Sequence, residues 1–192
     1  FSIYPLFTLH NADALRFDFG ALARKQKPIR LVGNLPYNIS TPLLIKLLED
    51  TSFMQDMHFM LQLEVVQRLS AKPGNKFWGR LGVLTQFRCE VEPLLEVPPE
   101  AFYPAPKVQS ALIRLIPRSR NPWPNTAPIE LSRVVAHCFA KRRKTIRNNL
   151  KGFLSDADFE QLAIDPNARA ESLTLRDFIS LTEHFKLLNV KN

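Results

Sequence analysis

A short apolar run at residues 29–32 stops at Gly33 and Asn34, ahead of a helix-like segment that begins near Pro42. Such a run, bounded by turn residues, predicts a buried β-strand. Because short apolar runs alternate here with helical patterns, the sequence predicts an α/β fold with a parallel sheet. In sheets of that kind, ligands bind beyond the carboxyl ends of the strands. Asn34 is therefore expected at a ligand-binding edge.

Further apolar runs extend this predicted sheet. Residues 6–11 are expected to form a strand that ends at Asp13, and residues 58–62 a strand followed by a helix over residues 64–71. Asp13 and Asn34 would then share the carboxyl edge. Later patterns predict one helix and two strands, over residues 79–89, 91–97 and 107–117.

Only helical patterns follow the proline-rich stretch at residues 121–128. Apolar spacing predicts helices over residues 129–140, 144–153, 156–163 and 175–188. Residues 1–120 are therefore expected to form part of an α/β domain, residues 121–128 a linker and residues 129–192 a small all-α domain.

The four residues from Asn34 to Tyr37 bring together groups that can hold the edge of a nucleobase. The Asn34 side chain offers a carbonyl acceptor, and Pro36, which lacks an N–H, presents only its own carbonyl. Leu35 precedes a proline and is kept extended, which lets both acceptors converge on one exocyclic amine. Tyr37 adds a stacking surface. The same residues also suit a plain strand-terminating turn with a packed tyrosine.

A proline-stiffened loop at residues 98–106 lies between two predicted strands and carries the adjacent aromatics Phe102 and Tyr103. The prolines exclude a helix there. The loop is either a rigid hairpin connection with Phe102 packed inward or an aromatic wall beside a substrate.

The net charge of +8 is concentrated in one part of the chain. Residues 1–113 carry 12 Lys/Arg against 10 Asp/Glu, residues 114–151 carry 10 against 1, and residues 152–192 carry 4 against 7. Such a block of cations can be a disordered tail or a solvated face.

Helical spacing within residues 139–151 favours a third interpretation, a basic helix anchored to a core. Its apolar face consists of Phe139, Ile146, Leu150 and Phe153. The cations are candidates for contact with nucleic-acid phosphates: Lys141, Arg142, Arg143, Lys144, Arg147 and Lys151. The junction of the two predicted domains is the expected nucleic-acid cleft.

Other classes of site find little support. The four histidines lack metal-ligand spacing, so no metal is expected. Cys89 and Cys138 are expected to be reduced and structural. No apolar run reaches the roughly 18 residues of a membrane span, and no charged-then-apolar leader is seen. We therefore expect a cytoplasmic protein without a membrane partner.

Four motifs follow one another along the chain. They are Leu31-Val32-Gly33-Asn34-Leu35-Pro36-Tyr37-Asn38-Ile39-Ser40-Thr41-Pro42, then Met60-Leu61-Gln62 with Glu64-Val65-Val66, then Phe102-Tyr103-Pro104-Ala105-Pro106-Lys107-Val108, then Arg142-Arg143-Lys144-Thr145-Ile146-Arg147-Asn148. Together they resemble the small-subunit ribosomal RNA adenine dimethyltransferases. The most similar members are the bacterial enzymes that dimethylate two adjacent adenines near the 3′ end of 16S rRNA.

The resemblance implies an S-adenosylmethionine-dependent N6-methyltransferase, with a Rossmann-like domain followed by a small helical domain. It implies that Asp13 binds the cofactor's adenine and that Asn34 lies between the cofactor and the target amine. Phe102 would line the target pocket. The partner would be 16S rRNA in the small ribosomal subunit or its precursor. One departure is Ala12, where the family usually has a glycine.

The family's glycine-rich cofactor loop has no counterpart in the chain. The six glycines form no G-x-G pattern, and the resemblance places that loop upstream of Phe1. We therefore expect a fragment that lacks the N-terminal cofactor-loop region and is inactive by itself.

Other functions share parts of this pattern. Large-subunit rRNA adenine methyltransferases of the antibiotic-resistance type carry a similar Asn-x-Pro-aromatic loop. A non-catalytic rRNA-binding assembly factor would keep the basic segment and need no Asn34. DNA adenine methyltransferases fit less well, because their loop usually has a second proline where this chain has Leu35.

Overall fold

The computed structural model describes residues 6–23 and 28–190, and these ranges contain a four-stranded sheet. Its strands are β1 (Ile29–Asn34), β2 (Met54–Gln62), β3 (Cys89–Val97) and β4 (Ser110–Pro117), arranged in the order β1-β2-β4-β3. β1 and β2 are parallel, whereas β4 runs antiparallel to β2 and β3. The prediction of a parallel sheet is therefore right for the first pair and wrong for the others. Parallel neighbours need a crossover, and the proline-rich residues 98–109 form a hairpin connection instead.

Helices cover one face of this sheet and, joined by loops, form most of the C-terminal part of the described chain. Among the described residues they are α1 (Phe19–Ala23), α2 (Tyr37–Glu49), α3 (Leu63–Ser70), α4 (Arg80–Arg88), α5 (Pro128–Cys138), α6 (Ile146–Asn149), α7 (Asp156–Gln161) and α8 (Leu175–Val190). The sheet core is built where α2 and α3 pack on β2 and β4, with Leu44, Met57, Leu61, Leu69 and Ile113 completely buried.

A second hydrophobic core joins α4 to the helices near the C-terminus. Trp78, Val83 and Phe87 belong to the same buried cluster as Leu131 of α5 and Phe178 of α8. The Trp78 indole N–H donates to the Leu173 carbonyl at 2.9 Å. Because this core includes residues on both sides of 121–128, the division of the chain into domains at that stretch stays a prediction.

An ion-paired cluster on the other face of the sheet links β1 to β2. Asp56 is almost fully buried and accepts two hydrogen bonds from Arg30, at 2.6 Å and 2.7 Å. Arg114 of β4 contacts the same carboxylate at 3.4 Å. The Arg30 hydrogen bonds lower the pKa of Asp56. A bidentate pair of this kind has one favoured geometry, so it fixes the strand that leads to Asn34.

The strand predicted at residues 6–11 is wrong. Residues 7–13 have no helix or strand, and Leu6 and Leu9 are largely exposed. Strand propensity is realised only when a neighbouring strand supplies backbone partners. Among the described residues, β1 pairs with β2 and with no other strand.

The basic helix predicted over residues 139–151 is also wrong in most of its length. Only Ile146–Asn149 is helical, and Lys141, Arg142, Arg143 and Lys144 lie in turns. Thr145 caps the short helix by accepting the N–H of Asn148, which stops the helix from extending backwards. The predicted anchor is partly confirmed, because Ile146 and Leu150 are fully buried while Phe153 is 49% exposed.

Ser155, Asp158 and His184 form a hydrogen-bonded group that joins α7 to α8. Asp158 accepts from the Ser155 backbone N–H at 2.7 Å and from its hydroxyl at 2.6 Å, and contacts His184 Nε2 at 2.7 Å. These bonds, chiefly those from Ser155, lower the pKa of Asp158 to about 2.

This lowered pKa predicts an acid-sensitive contribution to stability. The carboxyl group titrates near 3.9 when unfolded, so the contribution is complete above that pH and is lost as the pH falls towards about 2. We expect Asp158→Asn to lower the free energy of unfolding by about 2 kcal/mol near neutral pH, since a charge-assisted bond is lost. Denaturant unfolding should show a shallower acid dependence for the variant; parallel pH profiles would contradict the prediction.

Candidate active site

Asn34 is the last residue of β1 and lies at the carboxyl edge of the sheet. It is in register with Met60 on β2, and the next residue, Leu35, donates its N–H to the Met60 carbonyl at 3.2 Å. Leu35 is buried, whereas Asn34 is exposed. A Cβ at Gly33 would lie 3.1 Å from Leu35 Cδ2, so the glycine leaves room for that buried side chain. The strand therefore ends in an exposed amide on a fixed backbone.

The carbonyl groups of Leu35 and Pro36 differ in their partners. The Pro36 carbonyl accepts the N–H groups of Ile39 and Ser40, both at 3.1 Å, and so begins α2. No hydrogen bond to the Leu35 carbonyl is found within residues 6–23 and 28–190. A carbonyl has two lone pairs, and both of those on Pro36 are used by the helix. With respect to the described residues, the Leu35 carbonyl is thus a backbone acceptor next to Asn34 that has no partner.

Tyr37 is tied to the aromatic loop through the start of β4. Its hydroxyl lies 2.9 Å from the Ser110 hydroxyl, and Ser110 is buried where the loop of residues 98–109 ends. Phe102 is half-buried in that loop. The adjacent Gln109 carbonyl accepts the N–H of Leu63, the first residue of α3, at 2.9 Å. The end of β1, the start of α2, the start of α3 and the loop therefore meet at one edge.

Asp13 lies on an exposed loop that is held against α2. Its carboxylate accepts the Leu15 N–H at 2.9 Å and lies 3.8 Å from Arg16. The ammonium group of Lys46, on α2, donates to the carbonyls of Leu15 at 2.9 Å and Phe17 at 2.7 Å. In the described part of the chain, no hydrogen bond or ion pair joins Asp13 to Asn34.

Sequence reasoning missed two residues that position this edge, Ser110 and Lys46. Ser110 is separated from Tyr37 by 73 residues, and nothing in its local pattern indicates that contact. Lys46 is the only cation in α2, among the apolar residues 43–48. An isolated lysine in such a run is a signal for a specific partner, because its charge is costly to bury unpaired.

Lys141, Arg142, Arg143 and Lys144 form an exposed segment after α5, named here the basic turn. The Lys144 N–H donates to the Lys141 carbonyl at 2.9 Å, and the Asn149 side-chain amide donates to the Cys138 carbonyl at 2.7 Å. These bonds and the buried Ile146 fix the turn to the helical core.

The remaining predicted phosphate-binding residues, Arg147 and Lys151, are also exposed. Arg147 lies 3.1 Å from Asp156, and Arg142 donates to the Lys76 carbonyl at 2.9 Å. All six predicted cations are therefore on the surface, although two of them also hold protein partners.

The Asp13 carboxylate is exposed on its loop and can accept N–H groups of a bound ligand. Val32, in β1, is 74% exposed. The six glycines form no glycine-rich turn.

Neither cysteine suits a catalytic role. Both are fully buried, and burial raises the pKa of Cys89 and of Cys138 to about 12, which disfavours the nucleophilic thiolate.

The described side chains include no group of three or more His, Cys, Asp or Glu placed to hold a metal ion. Within the same ranges, no helix has both the length and the apolar character needed to cross a bilayer.

Comparison with known proteins supports the resemblance noted in the sequence. Residues 2–187 match a family described as ribosomal RNA adenine dimethylase. The protein called ribosomal RNA small subunit methyltransferase A from Saccharophagus degradans is 54% identical over 182 residues, covering 95% of this chain and 68% of that protein. The protein of that name from Laribacter hongkongensis is 56% identical over 174 residues, covering 91% and 66%. The chain thus spans about two thirds of the length of these relatives.

Solved structures show the same fold at lower sequence identity. A dimethyladenosine transferase from Plasmodium falciparum has a TM-score of 0.78 and 24% identity, covering 94% of this chain and 72% of that one. The 23S rRNA methyltransferase ErmE has a TM-score of 0.69 and 22% identity, covering 96% and 74%. The predicted fold class, Rossmann-like α/β followed by helices, is confirmed.

Proposed function

Because the chain belongs to the ribosomal RNA adenine dimethylase family, we propose that its sheet edge binds the target adenine of an rRNA N6-methyltransferase. The product is N6,N6-dimethyladenosine at two adjacent adenines near the 3′ end of 16S rRNA, formed on the small subunit or its precursor. The observation that carries the proposal is the cluster of an exposed Asn34 amide, an unused Leu35 carbonyl and a Tyr37 ring fixed by Ser110.

The first role of this edge is to orient the amine. The N6 lone pair of adenine is delocalised into the ring and is a poor nucleophile. When Asn34 Oδ1 and the Leu35 carbonyl accept the two N–H bonds, a pyramidal nitrogen is favoured and its lone pair points away from both acceptors. Holding reacting groups in this way is worth up to roughly 7–11 kcal/mol in favourable cases.

Pro36 has a different task in this proposal from the one expected of it. Its carbonyl is used in starting α2, so the second acceptor is Leu35 instead. Pro36 fixes the direction of the chain between the strand and the helix, since its ring restricts φ.

The methyl donor we propose is S-adenosylmethionine, which supplies an electrophilic methyl group when bound. Asp13 would hold its adenine and Asn34 would lie next to its reactive end. The target amine loses its proton to solvent during or after transfer, so no strong base is required. A monomethylated amine keeps one N–H for these acceptors, and the dimethylated amine keeps none, which favours release of the product.

The target base must leave its stack to reach the sheet edge. Tyr37 and Phe102 would replace the lost stacking, which is worth roughly 1–3 kcal/mol per base. The basic turn, with Arg147 and Lys151, would hold the surrounding RNA backbone through its phosphates. The location we propose is cytoplasmic, where ribosomal subunits of bacteria are assembled.

A choice between two RNA substrates tests this proposal. The fold is shared with a 23S rRNA methyltransferase, so large-subunit RNA is the second candidate. The 54% and 56% identities to small-subunit enzymes favour the first. We expect the natural gene product that contains this chain to methylate small-subunit particles with a kcat/KM at least about tenfold higher than that for large-subunit RNA. This ratio corresponds to a difference of about 1.4 kcal/mol in activation free energy. Equal or preferential methylation of large-subunit RNA would contradict the proposal.

A further inference from the structure

A cleft of about 450 Å³ lies between α3, the start of α4 and the residues after α5. We name it the α3–α4 cleft. Its walls carry four cations and one carboxylate, together with aromatic side chains, and the residues that matter here are Glu64, Arg68, Lys76, Phe77, Arg80 and Arg142. None of the first five was a candidate from the sequence.

The floor of the cleft is closely packed. Gly82 of α4 approaches α3 so closely that a Cβ there would lie 2.6 Å from the Arg68 carbonyl. Trp78 beneath the cleft is buried and bonded to Leu173, and the Gly74 N–H donates to the Glu171 carbonyl at 2.7 Å. A closely packed surface of this kind loses little conformational entropy when it binds a ligand.

The cations of the cleft are only partly neutralised. Arg68 pairs with Glu64, and Arg142 lies 3.7 Å from Glu171. Lys76 lies over the Phe77 ring at 4.9 Å, and Arg80 donates to the Ser132 hydroxyl at 3.1 Å. In the described ranges, Lys76 and Arg80 have no carboxylate within ion-pairing distance. Two positive charges therefore remain available to an anion.

The cleft connects the two surfaces of the proposed function, on which this inference rests. Arg142 belongs both to the basic turn and to the cleft wall. The opposite end of the cleft is lined by Glu64, which lies two residues after the last residue of β2. Near that end of the strand, Met60 of β2 is in register with Asn34 of β1. A helix rises about 1.5 Å per residue, so Arg68 is about one turn beyond Glu64.

We propose that the α3–α4 cleft binds a single-stranded nucleotide of the rRNA substrate, near the target adenine. Lys76 and Arg80 contact its phosphate, and the half-buried Phe77 contacts its base. Unpaired cations beside an aromatic face suit a nucleotide better than an acidic peptide, because bases stack on such faces while phosphates meet the cations.

The test compares binding of a single-stranded small-subunit rRNA fragment by wild type, Lys76→Gln/Arg80→Gln and Phe77→Leu. The matched control is Arg120→Gln/Lys186→Gln, which removes two exposed cations outside the cleft. Two lost phosphate contacts should lower the slope of log affinity against log salt by about 1.4, at about 0.7 per contact. Phe77→Leu should weaken binding about tenfold with an unchanged slope. The control should match wild type.

Direct contact is tested by cross-linking 4-thiouridine RNA to the wild-type chain, with the expected adduct within residues 76–80. Wild-type affinity and slope in both cleft variants, or adducts only elsewhere, would overturn the inference. Those results would leave the proposed function intact, because it is judged by methylation. A wild-type protein that neither binds nor methylates rRNA would overturn both.

Discussion

Asn34→Ala is expected to lower kcat/KM for methylation of small-subunit particles on the order of 10²–10³-fold. The alanine removes one of two acceptors that orient the amine, and losing one preorganised hydrogen-bonding group from an active site has an effect of that size. Binding of the RNA should change little, because Asn34 contributes one contact and the basic turn contributes several charges. The measurement is steady-state methyl incorporation by the natural gene product that contains this chain.

The matched control for this variant is Asn125→Ala, at an exposed asparagine between β4 and α5. It should retain wild-type kinetics, and both variants should unfold at the wild-type temperature. Normal turnover by Asn34→Ala would mean that the strand end is only a turn. RNA binding without any turnover by the wild-type protein would instead favour the non-catalytic assembly factor, which needs the basic turn and not the amide.

The second large effect concerns the cations near α6. Replacing Lys141, Lys144 and Arg147 together by glutamine should lower the salt slope of single-stranded RNA binding by about 2, at about 0.7 for each phosphate contact. Affinity in dilute salt should fall on the order of 100-fold. All three side chains are exposed on a segment fixed by the buried Ile146 and Leu150. Their loss should therefore alter charge without unfolding the helices.

A control triple variant distinguishes the effect of specific phosphate contacts on RNA binding from the effect of the protein's net charge. Arg120, Arg133 and Lys186 are exposed and belong neither to the basic turn nor to the α3–α4 cleft. Replacing these three by glutamine changes the total charge equally. The same loss of slope in both triple variants would show that RNA binding depends only on the overall charge of the protein. An unchanged slope in the variant at Lys141, Lys144 and Arg147 would refute their role in phosphate binding.

Much of the candidate site could be predicted because its residues are close in sequence. The segment from Asn34 to Tyr37 lies at a strand end, and the apolar run before it and the proline within it both mark that end. Local rules of strand and turn chemistry are sufficient for such a feature. The prediction that Pro36 supplies the backbone acceptor is not met, because its carbonyl accepts the first N–H groups of α2. Which carbonyl a helix uses depends on where its first turn begins, and sequence patterns place that point only within a few residues.

The features that could not be predicted depend on contacts between distant residues. Tyr37 and Ser110 meet because β4 inserts beside β2, and the sequence patterns do not specify that strand order. The basic segment looks helical by spacing, yet Thr145 caps a shorter helix and Asn149 bonds back to Cys138. Tertiary contacts of this kind override helical periodicity. The α3–α4 cleft is completed by Arg142, which is more than sixty residues from its other cations, and that contact is not visible in a local motif.

The central claim is that the Asn34 edge presents adenine N6 for methyl transfer, and analysis of the modified nucleoside tests it most directly. Small-subunit rRNA is incubated with S-adenosylmethionine and the natural gene product, digested to nucleosides and examined by mass spectrometry. We expect N6,N6-dimethyladenosine with the wild-type protein and unmodified adenosine with Asn34→Ala. Dimethyladenosine at wild-type levels from the variant, or its absence with the wild-type protein, would contradict the account.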